Sequence, residues 1–296
     1  MTSSADRTLL FVHAHPDDET LATGVTVAQR AIEGADVHVL TCTLGDEGEV
    51  IPADLAHHLS ALDDTLGAYR RVELRAAMAA LGAVEHVLGE DVRGPGNAAF
   101  RDSGMAGTPT MDHPRALCRV PLHEVADAIG EHLRALRPDV VVTYDPCGGY
   151  QHPDHVRVHQ ATCAAVAELA EGERPALWAV VVRRSRAMGD RRWLAENVAT
   201  QERITVPAPG EDYPAAVVDD ALIAWEVTGD LAALARRDAA LAAHRTQVRL
   251  GSGWYALSND VAARLQSTES FVPLDPDTGD FAPMPPGATI DERRAP

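Results

Sequence analysis

The run Thr8-Leu9-Leu10-Phe11-Val12 passes directly into His13-Ala14-His15-Pro16-Asp17-Asp18-Glu19, and a stretch with helical character follows from Leu21 to Ala31. The run is too short for a helix and too apolar for a half-exposed strand. It reads as a strand buried on both faces, which makes the polar cluster a strand-to-helix turn. After the Gly34-Ala35 turn, Asp36 to Cys42 alternates like a second strand and closes a βαβ unit. Such a unit requires parallel pairing and a right-handed crossover, and in open sheets of this kind ligands bind at the carboxyl ends of the strands.

The pattern continues along the chain. Gly45 to Glu49 is an acidic, glycine-punctuated loop at the end of the second strand. Leu62, Leu66, Tyr69, Val72, Leu74, Met78 and Leu81 recur at three- and four-residue steps and predict a helix from Ser60 to Leu81. A strand over Val84 to Leu88 precedes a long stretch, Gly89 to Leu117, with no strand or helix period; a connection of that length in a compact domain is usually functional or disordered. Val120 to Leu136 is predicted helical, with Pro121 in its first turn and Pro138 past its end. Val140 to Tyr144 is the most strand-like run in the sequence, followed by a helix over Val156 to Leu169 and a strand over Leu177 to Arg183. Short strands between Thr205 and Val227 and an alanine-rich helix over Asp230 to His244 complete the pattern. The expected fold is α/β: a Rossmann-like, mostly parallel sheet with helices on both faces and a smaller C-terminal α/β portion. Residues 1–272 are expected to form one domain, and 273–296 a Pro/Asp-rich, poorly ordered tail.

Charge and composition narrow the function. A formal net charge of −18 disfavours nucleic acid and anionic membrane as partners. All basic side chains are Arg, which excludes a lysine Schiff base or a P-loop lysine. Four widely spaced cysteines without a CxxC pair, and no secretory-type leader or apolar membrane-length run, point to the cytoplasm.

The turn after Val140 to Tyr144 reads Asp145-Pro146-Cys147-Gly148-Gly149-Tyr150-Gln151-His152-Pro153-Asp154-His155 and mirrors the first polar turn. Both would open on the same sheet edge. Taken singly, Asp17, Asp18, Glu19 and Asp154 can be read as helix caps and dipole-complementing acids. Together with His15, His152 and His155 they make a divalent metal the economical explanation, since converging imidazoles and carboxylates otherwise repel or go unpaired. His15, Asp18 and His155 can supply three ligands and leave a fourth position open, the pattern of a catalytic zinc site. His13 is expected in a supporting role and His159 on a helix surface; His38 and His57-His58 are expected solvated or packed. A dinucleotide site is disfavoured, because the first turn lacks G-x-G-x-x-G and would set Asp17 and Asp18 against a pyrophosphate. No G-x-S-x-G elbow is present for serine hydrolase chemistry.

The pairing of A-H-P-D-D-E with G-G-Y-Q-H-P-D-H resembles the PIG-L/LmbE-like family of zinc-dependent deacetylases. T-C-T-L-G-D-E-G-E-V-I from Thr41, R-D-S-G-M-A-G-T from Arg101 and A-H-R-T-Q-V from Ala243 are most similar to its mycothiol-pathway members. The resemblance implies a small amino-sugar–inositol substrate and hydrolysis of its N-acetyl group. An S-conjugate amidase of the same pathway is the nearest alternative, and a catalytically silent sugar- or metal-binding protein the alternative of another class. It also implies Zn2+, with Fe2+ or Co2+ as substitutes, on His15, Asp18 and His155, and Asp17 as general base. Tyr150 and His152 would then stabilise or protonate the reacting group, Asp154 would orient His152, and Arg70 and Asp102 would bind substrate hydroxyls. Cys147 departs from the family pattern and is expected to be a turn residue.

Overall fold

The structure is a computed structural model that describes residues 7–90, 98–198, 204–208, 210–284 and 289–296. In chain order the principal elements are β1 (Thr8–His13), α1 (Asp18–Ile32), β2 (Asp36–Thr41), α2 (Leu66–Leu81), β3 (Val84–Val87), α3 (Leu122–Leu136), β4 (Val140–Tyr144), α4 (Pro153–Ala167), β5 (Ala176–Arg183), α5 (Arg184–Asn197), β6 (Val217–Val218), β7 (Trp225–Thr228), α6 (Leu231–Ala243), β8 (Arg249–Leu250), β9 (Trp254–Ala256), β10 (Ala262–Arg264) and β11 (Thr268–Pro273). The main sheet runs β3-β2-β1-β4-β5-β11-β7, with β6 beside β5. From β3 to β5 every pairing is parallel, whereas β11 runs antiparallel to both β5 and β7.

Strand alternation divides the core between the two faces. Leu9, Phe11, Val39 and Val142 pack with Leu74, Met78 and Leu81 of α2 and Ala240 of α6. Leu10, Val12, Leu40 and Val141 pack with Ile129 and Leu133 of α3 and Val158 of α4. The α/β expectation is met, with helices on both faces. The chain leaves β1 towards β2 on one side, while β4 joins β1 on the other. The topological switch point therefore lies between β1 and β4, where the two His/Asp turns emerge.

Several boundaries differ from the sequence reading. The helix expected from Ser60 starts at Leu66; Ala53–His58 is a separate 3-10 turn, and Asp64 between them adopts a left-handed φ of 50°. Gly82 ends α2 in the left-handed region (φ 84°), with its N–H on Met78 O. Residues 91–97 of the expected 89–117 loop lie outside the described residues. The helix α5 and the antiparallel sheet β10-β9-β8 were not anticipated; they enclose a small core of Leu194, Val198, Ile204, Ala256 and Ala262. The described part of 273–296, expected as a poorly ordered tail, packs back on the domain. Leu274 bridges to Phe281, Trp178 Nε1 donates to Arg294 O at 2.8 Å, and the Arg30 guanidinium donates to Pro296 O. Among the described residues no helix is long and apolar enough to cross a membrane.

Candidate metal centre

Past β1 the backbone turns through Ala14 to Asp17 and enters α1 at Asp18, so that His15 and Asp18 lie on one side of the turn. The second turn brings His155, in the first turn of α4, over the same point. His15 Nδ1 is 3.3 Å from Asp18 Oδ2, His155 Nε2 is 3.2 Å from the same oxygen, and the two imidazole nitrogens are 3.3 Å apart. Metal–ligand bonds of about 2.0–2.1 Å in a tetrahedron place ligand atoms about 3.3–3.4 Å from one another. The three expected ligands thus already form one face of such a tetrahedron. Two further trios, His15/His152/His155 and His15/Asp102/Asp154, have candidate atoms within 4.8 Å of one another. The second of these meets His15 at its other nitrogen.

That other nitrogen is held by carboxylates. His15 Nε2 lies 3.2 Å from Asp154 Oδ2 and 3.3 Å from Asp102 Oδ1. An imidazole that presents one nitrogen to a metal and gives its other N–H to a carboxylate has a fixed tautomer and ring orientation. Burial opposes a charge on His15, but Asp102, Asp154 and Asp18 together carry its pKa well above the ordinary value. A cation at Nδ1 would take over that balancing charge. Asp154 is therefore placed differently from the expectation that it orients His152. Its carboxylate accepts from Ser103 N at 2.8 Å and from the Ser103 hydroxyl and faces His15, while only its backbone N–H reaches His152. Asp102, expected at the substrate, accepts from Glu47 N at 3.2 Å and Gly104 N at 2.8 Å as well as facing His15.

Tyr144, which the sequence showed only as the last residue of a buried strand, contacts the other two expected ligands. Its hydroxyl donates to Asp18 Oδ2 at 2.7 Å and accepts Ala14 N–H at 2.8 Å. Its ring stacks on His155, with centroids 4.2 Å apart and planes 11° apart. Asp145, also missed, organises the second turn by accepting Cys147 N and Gly149 N at 2.9 and 2.7 Å.

Asp17 sits beside the ligand trio with φ 111°, ψ −35°, a conformation costly for a residue with a Cβ. Its N–H donates to Glu19 Oε2 at 2.9 Å, and its carbonyl accepts the N–H groups of Thr20 and Leu21. Burial pushes its carboxyl up to about 6, against the pull of Arg70. Arg70, expected at the substrate, is buried. Its guanidinium donates to Gly45 O at 2.9 Å and to Pro16 O, and lies 3.3 Å from Asp17 Oδ1. Gly45 makes room for it, because a Cβ there would come within 1.9 Å of Arg70 Nη1 and the backbone has φ +64°. Glu19 is fully buried and pairs at 2.8 Å with the equally buried His244.

His152 caps α4, its Nδ1 accepting Asp154 N–H at 3.2 Å. Burial, reinforced by His15 and His155, draws its pKa down to about 3, so the ring is neutral and carries its proton on Nε2. Tyr150 is 49% exposed, with its ring edge-on to His155 at 5.1 Å. Cys147 is an exposed turn residue. His13 supports the turn from below through a 2.9 Å contact between Nε2 and Thr23 Oγ1. His159, expected on a helix surface, is instead buried between Tyr144 O and Gly279 O, each 2.9 Å from a ring nitrogen.

Two histidines and a carboxylate facing one point, with a further carboxylate beside them at the switch point of a parallel sheet, define a metal-dependent hydrolase site. The chain belongs to the PIG-L family: residues 10–166 match the family described as GlcNAc-PI de-N-acetylase. It is 46% identical over 280 residues to a protein of Actinosynnema mirum named 1D-myo-inositol 2-acetamido-2-deoxy-alpha-D-glucopyranoside deacetylase, covering 92% of this chain and 93% of that one. A protein of the same name from Rhodococcus erythropolis is 45% identical over 285 residues, with 92% of each chain covered. In fold the chain is similar to a solved deacetylase of the teicoplanin biosynthesis pathway, with a TM-score of 0.51 at 20% identity, covering 90% of this chain and 99% of that one.

Proposed function

We propose that the chain hydrolyses the N-acetyl group of 1D-myo-inositol 2-acetamido-2-deoxy-α-D-glucopyranoside, releasing acetate and the free amino sugar of mycothiol biosynthesis. The substrate is the one named for relatives that align along nearly the whole chain. The observation that carries the reaction type is the triangle of His15 Nδ1, Asp18 Oδ2 and His155 Nε2, with edges of 3.2–3.3 Å and Asp17 beside it. Those three side chains would hold the metal. Zinc suits two imidazoles and a carboxylate, and Fe2+ or Co2+ would accept the same donors. When bound, the cation polarises the acetyl carbonyl and makes water acidic enough to supply a nucleophile near neutral pH.

The chain's own groups manage protons and position. Asp17, next to a ligand and steadied by Arg70, takes a proton from the attacking water and returns it to the departing nitrogen. His152 stays neutral and offers its Nε2–H to the carbonyl oxygen as negative charge develops there. Tyr150, exposed between the left-handed Gly149 and Gln151, is the group free to swing towards that same oxygen. Asp154 and Asp102 keep the His15 ring in its ligating orientation. The four free cysteines fit a reducing cytoplasm.

The test is amine release by purified, metal-loaded protein from the acetylated amino-sugar–inositol and, separately, from a bulky mycothiol S-conjugate. The acetylated compound should turn over faster, and a chelator should stop the reaction. Faster cleavage of the S-conjugate would replace deacetylase with amidase, and no amine from either compound would leave a binding protein.

A further inference from the structure

We propose that His244, in the A-H-R-T-Q-V segment, is a positioning residue for Asp17, acting through Glu19. The inference rests on the reading of Asp17 as the proton-transfer group. His244 follows directly on the end of α6, is fully buried, and directs Nε2 at Glu19 Oε1, 2.8 Å away. Among the described residues its Nδ1 has no hydrogen-bond partner, and the ring's hydrogen bond there is to that carboxylate. Glu19 spends its second oxygen on the Asp17 N–H, at 2.9 Å. The line His244–Glu19–Asp17 N thus runs from the C-terminal half of the chain to the one residue of the first turn held at φ 111°.

A residue with a Cβ keeps such a conformation only where its surroundings over-determine it. Three contacts do so here: Glu19 on the N–H, the first turn of α1 on the carbonyl, and Arg70 across the side chain. Glu19 Oε1 accepts from the Thr20 hydroxyl as well as from His244, and a buried carboxylate that loses one of its donors is more readily protonated or turned away. Removing the His244 donor therefore loosens the Asp17 backbone. Asp18, one residue on, does not depend on this line, because Tyr144 and His15 N–H hold its ligating oxygen. The rest of the segment is anchored separately, with Thr246 donating to Glu73 through N and Oγ1 at 2.8 and 2.6 Å, and Gln247 donating to Glu49 O at 2.9 Å. His244 is thus the segment's link to Asp17.

The experiment compares His244→Gln, which keeps a donor at the same reach, with His244→Phe, which keeps bulk without a donor, each alone and combined with Asp17→Asn. His244→Phe should lower kcat about 10- to 100-fold, as expected for a misplaced proton-transfer group, with KM within about twofold. Metal content per chain should be unchanged, and His244→Gln should recover most of the rate. In the Asp17→Asn background His244→Phe should change the residual rate by less than about twofold, because residues acting as one unit are not additive. Full multiplication of the two losses, or loss of metal in His244→Phe, overturns the proposal. If His244→Phe is recovered only as insoluble protein, His244→Asn, whose amide is too short to reach Glu19, takes its place with the same expected and overturning outcomes. Wild-type activity in Asp17→Asn alone would instead remove the base assignment on which the proposal stands.

Discussion

Replacing Tyr144 by Phe removes one oxygen and keeps the ring that stacks on His155. That oxygen makes two contacts with separate consequences. The 2.7 Å bond to Asp18 Oδ2 holds a proposed metal ligand, and a hydrogen bond to a charged group contributes about 1.5–3 kcal/mol. Since 1.4 kcal/mol is about tenfold in an equilibrium constant, losing it should weaken metal binding about 10- to 100-fold. The 2.8 Å bond from Ala14 N–H involves no atom of the three expected ligand side chains. Orphaning that buried N–H costs about 1–3 kcal/mol and should lower the melting temperature of the metal-free protein by a few degrees. Competition against a chromogenic chelator reads the first effect, and calorimetry of the metal-free protein reads the second. A lowered melting temperature with metal affinity within about twofold of wild type would refute the reasoning, leaving Tyr144 a packing residue.

Two further predictions follow from the surroundings of the turn. Gly45→Ala places a methyl group where the Arg70 guanidinium lies and strains a φ of +64°, so it should destabilise the fold by about 1–3 kcal/mol and slow turnover; an unchanged melting temperature would show that Arg70 can move aside without cost. His13 is buried, and burial draws its pKa from 6.5 down to about 4. Between these values the unfolded chain binds the proton and the folded chain does not, so His13's contribution to stability is present above pH 6.5 and is lost as pH falls towards 4. In urea unfolding of the chelated protein, the advantage of wild type over His13→Gln should shrink by up to about 1.4 kcal/mol per pH unit across that window, and a constant difference would contradict it.

Much of this was legible because buried parallel strands leave a strong mark. Val140 to Tyr144 is apolar on both faces and appears as β4 with those bounds, and the first strand is as clear. The two His/Asp turns follow from those strands, so both could be placed at one sheet edge from the sequence. The remainder depends on contacts distant in sequence. Spacing places Asp154 two residues from His152, but Ser103 and His15 decide which way its carboxylate faces. Tyr144 carries the signature of a core strand residue, and nothing local shows that its hydroxyl meets Asp18. Helix α5 is rich in Arg and has no clean apolar stripe, so its period is faint. The 273–296 segment has the composition of a loose tail, yet Trp178 and Arg30 hydrogen-bond to its residues 294 and 296 from elsewhere in the chain.

The central claim is that His15, Asp18 and His155 hold one divalent metal while Asp17 stands beside it without binding. Metal content after dialysis into zinc, measured on wild type, His15→Ala, Asp18→Ala, His155→Ala and Asp17→Asn, tests it most directly. One zinc per chain is expected in wild type and Asp17→Asn and little or none in the other three, all with native-like circular dichroism. Full zinc occupancy in the three ligand variants, or its loss in Asp17→Asn alone, would contradict it.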